Sequence, residues 1–277
     1  MRPCQPTYDS MTYPLLAAPN ETLREHIEGV AEELINRFLK KRARTLSRLL
    51  RSYNIDVNLR DVEKALLYSA IFHDVGKAYD WFQERIVEAA LQGLSEFSVP
   101  RHELFSALAT SHILAKESFA SPSGSQLLRT CVLLSIVWSH SSSRGAIIPK
   151  IAETIDRFVK VNSVSLNQQR SSELVSILDS VLKRYECYEG IDLSRLPRTI
   201  SITEVKKLLG ELDKPLRSES KLGHLLYHVT LPVVSALQVA DSLVSNRNRG
   251  GKRREYIADL PDPLVVIKVK RALWSTE

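Results

Sequence analysis

The chain has 277 residues, 44% apolar and 25% charged, enough for one large domain or two small ones around a sizeable core. Thirty-eight Lys and Arg against 32 Asp and Glu leave a net +6, a modest excess that favours polyanionic partners without requiring one. Cys4, Cys131 and Cys187 are odd in number and form no CxxC pair, which argues against a disulfide framework or a zinc knuckle and for a reducing compartment. No apolar run approaches the roughly 18 to 20 residues of a membrane helix. The first twenty residues lack the charged and apolar regions of a signal peptide. A cytoplasmic protein with no membrane partner is the expectation.

In chain order, Pro3, Pro6, Pro14 and Pro19 predict an extended surface segment over residues 1–20. A helix is predicted from about Glu21: Thr22 and Glu25 have capping-box spacing, and Ile27, Val30, Leu34 and Phe38 recur at helical intervals. Leu66, Leu67, Ala70, Ile71 and Val75 predict one long helical segment over about 59–94. Gly76 inside it costs roughly 1 kcal/mol against Ala and so marks close packing or a bend. Pro100 suits the first turn of a helix through RHELFSALATSHILAKESF. SPSGS at 121–125 should break that run before a more apolar helix, LLRTCVLLSIVWSH. Residues 160–220 read as two or three amphipathic helices with polar joints, one opened by a capping box at Ser201 and Glu204. The stretch from Lys221 to about Ser245 is helical, with Pro232 expected to kink it or start a new helix. No alternating strand pattern of convincing length occurs, except in PLVVIKVK near the end. The expected fold is all-α, in a single domain over 1–277.

The most informative residues are His73 and Asp74 in AIFHDVGKAYDWFQ. Imidazole and carboxylate together suit a transition metal or a mixed oxygen and nitrogen dinuclear site, in which an Asp can bridge two ions. On a helix, Lys77 would share a face with both, as a point charge for a phosphate. An HD dipeptide alone is weak; HDxGK within an apolar helix is much stronger. The alternative is a solvated His-Asp pair.

HDVGKAYDWFQ, then RHELFSA, then an apolar helix ending in WSHSSSRG, resemble the HD nuclease of type I CRISPR interference. The nearest form is the stand-alone one that works beside a separate helicase. The resemblance runs from His26 in TLREHIEGVAEEL to Asp241 in ALQVADSL, most of the chain. HDxGK is shared by the whole HD superfamily of metal-dependent phosphohydrolases, while FQ and RHELFSA narrow the match. The resemblance implies a single HD-superfamily helical domain. It also implies that His26, His73, Asp74 and Asp241 hold one divalent ion and that Asp74, His102 and His140 hold a second, with Asp74 bridging. Where the family usually has two consecutive histidines, this chain has Ser139-His140. A hydroxyl is a poor substitute for imidazole on a transition metal, so the second ion is the one put in doubt. Histidine-rich sites accept Mn, Fe, Co, Ni or Zn according to supply, and the residues do not choose among them; the expected cofactor is one or two divalent ions, Mn, Ni, Co, Fe or Mg.

Bland alternatives stand beside each candidate. His26 can be an exposed residue in an acidic turn and His102 a solvated side chain in a first turn, while Asp241 can pair with an Arg instead of a metal. His112, ten residues after His102, suits a surface role. His224 and His228 have i,i+4 spacing but lack the acid of HExxH; they read as core or surface residues, one of which could replace the missing ligand.

Two basic clusters suggest nucleic acid. Arg37, Lys41, Arg44, Arg48 and Arg51 recur at three- and four-residue spacing, one stripe on an unbroken helix, and Arg37 would begin it on the His26 side. NRNRGGKRR at 246–254 supplies Arg247, Arg249, Lys252, Arg253 and Arg254, with Gly250-Gly251 suiting a mobile loop. Phosphate contacts are the role expected of both, solvated faces the alternative; few aromatics interleave them, so base stacking is not expected. The expected activity is hydrolysis of phosphodiester bonds in single-stranded DNA in CRISPR antiviral defence, with Asp74 and Lys77 at the reacting centre. Its implied partners are a helicase subunit and a CRISPR RNA-guided surveillance complex. No GxxxxGK[ST] loop occurs, so unwinding would belong to another chain. The rival readings are a phosphohydrolase of nucleotides, and a catalytically weakened scaffold that binds nucleic acid or partner proteins.

Overall fold

A computed structural model describes residues 13–94, 97, 99–114, 119–140, 148–217 and 221–248. The expectations for residues 1–12, the Ser-rich loop after His140, the basic positions Arg249, Lys252, Arg253 and Arg254, and PLVVIKVK lie outside the described residues. The fold is all-α, with two short antiparallel strand pairs as its only sheets among those residues.

The chain enters through β1 (Leu16–Ala18) and β2 (Glu21–Thr22). Leu15 to Ala18 are buried, so this part of the proline-rich segment is inside the protein instead of lying over its surface as expected. The backbone N–H of Leu23 donates to the carbonyl of Leu15, and Gln83 both accepts from the N–H of Leu16 and donates to its carbonyl. Helix α1 (Leu23–Leu34) starts two residues later than expected, with the capping box at Thr22 and Glu25 in place. Its inward face carries Leu23, His26, Ile27, Val30 and Leu34.

A π turn, Ile35–Leu39, joins α1 to α2 (Lys40–Ser52). This changes the expected stripe. The extra residue in a π turn rotates the helix beyond it, and His26 is wholly buried while Arg37 is exposed. Arg37 therefore does not begin a stripe on the His26 face. Within α2, Lys41, Arg44 and Arg48 remain on one exposed side, as does Arg51 at its end.

The expected long segment over 59–94 is three elements. Helix α3 (Leu59–Phe72) is capped by Asn58, a 3₁₀ turn spans Val75–Ala78, and α4 runs Asp80–Leu91. The helix stops at His73 because Asp74 leaves helical geometry, with φ −110° and ψ 5°. Helix α5 is His102–Ile113, entered through Arg101 in a left-handed conformation with φ 71°. Helix α5 ends at Ile113, before the SPSGS segment expected to break that run, and helix α6 (Pro122–Ser139) begins inside SPSGS. Gly124 lies in its first turn, where a Cβ would fall 2.1 Å from Val57 Cγ1, so this glycine serves close packing and no interruption.

Helices α7 (Ile148–Phe158), α8 (Gln168–Arg184) and α9 (Ile202–Arg217) cover the expected amphipathic region, with the Ser201–Glu204 capping box present. The polar joints hold the second strand pair, β3 (Ser163–Ser165) with β4 (Thr199–Ser201), too short to show alternation. Helix α10 (Lys221–Asn248) continues through Pro232 as one element, with no new helix starting there, and includes Asn246, Arg247 and Asn248, expected to be loop. It is long and apolar enough to cross a membrane by length and composition. Just over half of that window is buried in the protein, where α10 packs chiefly on α6 and α1. It is thus a core helix, and the one that carries Asp241.

Candidate metal centre

Four structural pieces converge on Asp74: α1 brings His26, the end of α3 brings His73 and Asp74, α5 brings His102, and the end of α6 brings His140. Asp241 arrives from α10. His26 Nε2 lies 3.1 Å from Asp74 Oδ2, 3.2 Å from Asp241 Oδ1 and 3.3 Å from His73 Nε2. On the other carboxylate oxygen, Asp74 Oδ1 is 2.9 Å from His102 Nε2 and 3.2 Å from His140 Nε2. All six sequence-named ligand positions are thereby brought together, and the two oxygens of Asp74 face different sets.

Close packing at Gly76 makes this possible. A Cβ there would lie 2.2 Å from the carbonyl oxygen of His102 and 2.7 Å from the N–H of Ser106. The Gly76 N–H donates to Ser106 Oγ at 2.8 Å. The glycine of HDxGK thus lets the first turn of α5 abut the turn after Asp74, which carries His102 to the carboxylate. Lys77 sits on the 3₁₀ turn instead of a continuous helix. Its Nζ donates to Asp74 Oδ2 at 2.6 Å, as the near-eclipsed i,i+3 positions of such a turn allow. Gln83 explains the FQ element: its amide also donates to the Lys77 carbonyl at 2.8 Å, tying β1 to this turn.

Each buried ring is oriented from behind. His73 Nδ1 donates to the carbonyl of Ala70 at 2.7 Å, and His102 Nδ1 to that of Val99 at 2.6 Å. His26 Nδ1 faces Glu21 Oε1 at 2.8 Å. A carbonyl oxygen only accepts, so Nδ1 of His73 and of His102 carries the proton. Burial pushes both imidazoles down, His73 to about 4, so near neutrality both are uncharged and present a bare Nε2 lone pair inward. His102 thus points a lone pair at an ionised carboxylate 2.9 Å away, and His73 points one at His26 Nε2.

Such a set has the donors to hold a cation. With ligand bonds near 2.1 Å, neighbouring ligand atoms sit about 3.0 Å apart at right angles and about 3.4 Å apart in a tetrahedron. The separations found around His26, His73, Asp74 and Asp241, 3.1 to 3.6 Å, match. The donor chemistry fits a divalent ion of the first transition row, as the mix of imidazole and carboxylate implies.

Electrostatics distinguish the remaining groups. Burial lowers the His26 pKa, but hydrogen bonds to Asp241, Asp74 and Glu21 outweigh that and hold it well above 6.5. His140 is also raised: burial opposes, and Asp74 and Asp241 prevail. Asp74 and Asp241 are held well below the carboxylate range despite burial, Asp74 by its neighbours His73, Lys77 and His102, Asp241 by its hydrogen bond to His26 and by His140.

Ser139 does not stand in for a histidine. Its hydroxyl is buried and donates to the carbonyl of Ile136 at 2.7 Å, back along its own helix. Gln238 on α10 donates to the carbonyls of Trp138 and Ser139 and fixes the end of α6 just before His140. Nor do His224 and His228 replace the ligand, since they precede Asp241 on α10 by 17 and 13 residues, roughly 25 and 20 Å along the axis. His112 is on the surface.

The centre opens into a cavity lined by Ala17, Lys77, Phe97, Val99, His102, His140, Asp241 and Ser245. Arg247 lies six residues beyond Asp241, about 9 Å along α10. It pairs with Glu33 at 3.0 Å, and the same Glu33 pairs with Arg37 at 2.7 Å. Glu21, Gln83 and Ser106, which orient the centre, were not singled out in the sequence. Only the RHELFSA and FQ elements gave a sign of the last two.

No family model matches the sequence, and no curated protein matches it. Among solved structures, the chain is similar to the CRISPR-associated Cas3 HD domain protein from Methanocaldococcus jannaschii: 20% identical, covering 82% of this chain and 98% of that one, with a TM-score of 0.46.

Proposed function

We propose that this chain is a metal-dependent nuclease that hydrolyses phosphodiester bonds of single-stranded DNA, a reading that rests on the site and on the sequence motifs. The observation that carries it is the inward-facing Nε2 lone pair of His102, 2.9 Å from Asp74 Oδ1 and fixed by the Val99 carbonyl behind it. A divalent ion bound here would supply Lewis acidity, lowering the pKa of water so that its deprotonated form is available near neutral pH, and would offset the charge growing on a phosphate. Asp74 divides its two oxygens between the two ligand sets. Lys77, on the cavity wall, sets a positive charge beside that carboxylate, where it can neutralise a non-bridging phosphate oxygen. His140, the most exposed of the six at 24%, stands where substrate enters.

The exposed cations of α2, and exposed Arg37 and Arg247, which share Glu33, support a polyanionic substrate longer than one nucleotide. The resemblance of the HDxGK, RHELFSA and WSH elements to stand-alone CRISPR HD nucleases supports DNA as that substrate. It supports a helicase and an RNA-guided surveillance complex as partners that deliver the unwound strand. The test is cleavage of end-labelled single-stranded DNA with Mn, Ni, Co or Mg, beside Asp74→Ala. Metal-dependent cleavage abolished by the substitution supports the proposal. A folded protein that cleaves nucleotides but not DNA, or neither, refutes it.

A further inference from the structure

Three of the rings at the centre are oriented from behind, but by different groups. His73 and His102 lean on backbone carbonyls, whereas His26 leans on a carboxylate. Glu21 is wholly enclosed, its side chain fully inaccessible. A buried carboxylate is costly unless its charge is matched, so its place behind a ring nitrogen calls for a reason. Its Oε1 accepts from His26 Nδ1 at 2.8 Å and from Asn248 Nδ2 at 2.7 Å. Asn248 is the last residue of α10, seven residues and about two turns beyond Asp241. One helix therefore supplies both a ligand position and the amide that steadies the group behind another ligand.

We propose that Glu21 is a positioning residue of the metal centre, holding His26 with Nδ1 protonated and Nε2 directed at the ion, with Asn248 as its anchor; this rests on the metal-centre reading above. A carboxylate behind an imidazole fixes its tautomer and orientation and makes Nε2 a stronger donor than a carbonyl would. Glu21 is well placed for this because β2 delivers it one residue before the cap of α1. Its carboxylate then lies behind the ring that the next turn directs inward.

The test is a calorimetric titration of the whole chain with Mn²⁺, together with the visible spectrum of the Co²⁺-loaded protein. Glu21→Ala should weaken the tighter Mn²⁺ equivalent by roughly tenfold to a hundredfold, the range found when such supporting groups are removed. Its Co²⁺ bands should shift as the His26 donor changes. Glu21→Gln keeps the size and an accepting oxygen, so it should fold normally and lose less than Glu21→Ala. Asn248→Ala, at the end of a helix, should lose least. If Glu21→Ala does not fold, Glu21→Gln decides: wild-type affinity and an unshifted spectrum in it overturn the proposal. Full affinity in a folded Glu21→Ala overturns it as well, while leaving the metal centre standing. A wild-type chain that binds neither ion would instead overturn the metal-centre reading itself.

Discussion

The two halves of the centre differ in how they are built. Around Asp74 Oδ2, His26, His73 and Asp241 come from three helices, the two histidines wholly buried and His26 braced by Glu21. Around Asp74 Oδ1 the described residues supply His102 and His140, and His140 is partly exposed at the cavity wall, with the neighbouring Ser139 turned away into its helix. The half around Asp74 Oδ2 offers four ligand positions, Asp241 among them at the cavity wall. The half around Asp74 Oδ1 offers three, which would leave an ion there open to water or substrate. Ser139, which supplies no ligand, lies beside this second half.

The predictions probe this contrast. Gly76→Ala should be the most damaging, because a methyl 2.2 Å from the His102 carbonyl forces α5 away from the HD turn; circular dichroism should show a destabilised or unfolded chain, and a normal melting curve would contradict the packing account. Asp74→Ala removes a group common to both halves and should abolish cleavage and both Mn²⁺ equivalents, read by activity assay and calorimetry. His26→Ala and His140→Ala should separate the halves: the first should lower affinity for the tight equivalent by at least tenfold, whereas the second should spare it and lower the weak one. Ser139→Ala should change neither by more than about twofold, since its hydroxyl serves only the helix carbonyl.

The pH dependence has a definite sign. His26 and His140 are both raised above 6.5 in the metal-free chain, so they hold protons that a cation must displace. Metal affinity should therefore rise with pH through the range above 6.5, and binding should release protons. Calorimetry in buffers of different ionisation enthalpy measures that release; affinity independent of pH would contradict it.

His73 and Asp74 were marked by their chemistry, a His-Asp pair before a Gly, as were His140 ending an apolar helix and Asp241 as a lone acid in VVSALQVADSLV; His26, His102 and the grouping into two ligand sets came from the family resemblance. The capping boxes at Thr22 and Ser201 were legible because they are local. The helix break at Asp74 was partly legible: Gly76 marked close packing or a bend, while the apolar period running on through Val75 concealed that the segment is three elements. The continuity of α10 past Pro232 and the burial of Leu15 to Ala18 were hidden, since both depend on what distant helices cover. Glu21 gave no signal of its own, as nothing in sequence shows that a carboxylate five residues before a histidine will meet its ring.

The most direct measurement of the central claim is a calorimetric titration of wild-type protein with Mn²⁺ at about pH 8, above the ordinary imidazole range. The account predicts one tightly held ion and a second, weaker one. Two equal tight sites would contradict the asymmetry of the halves, and no binding at all would contradict the metal centre.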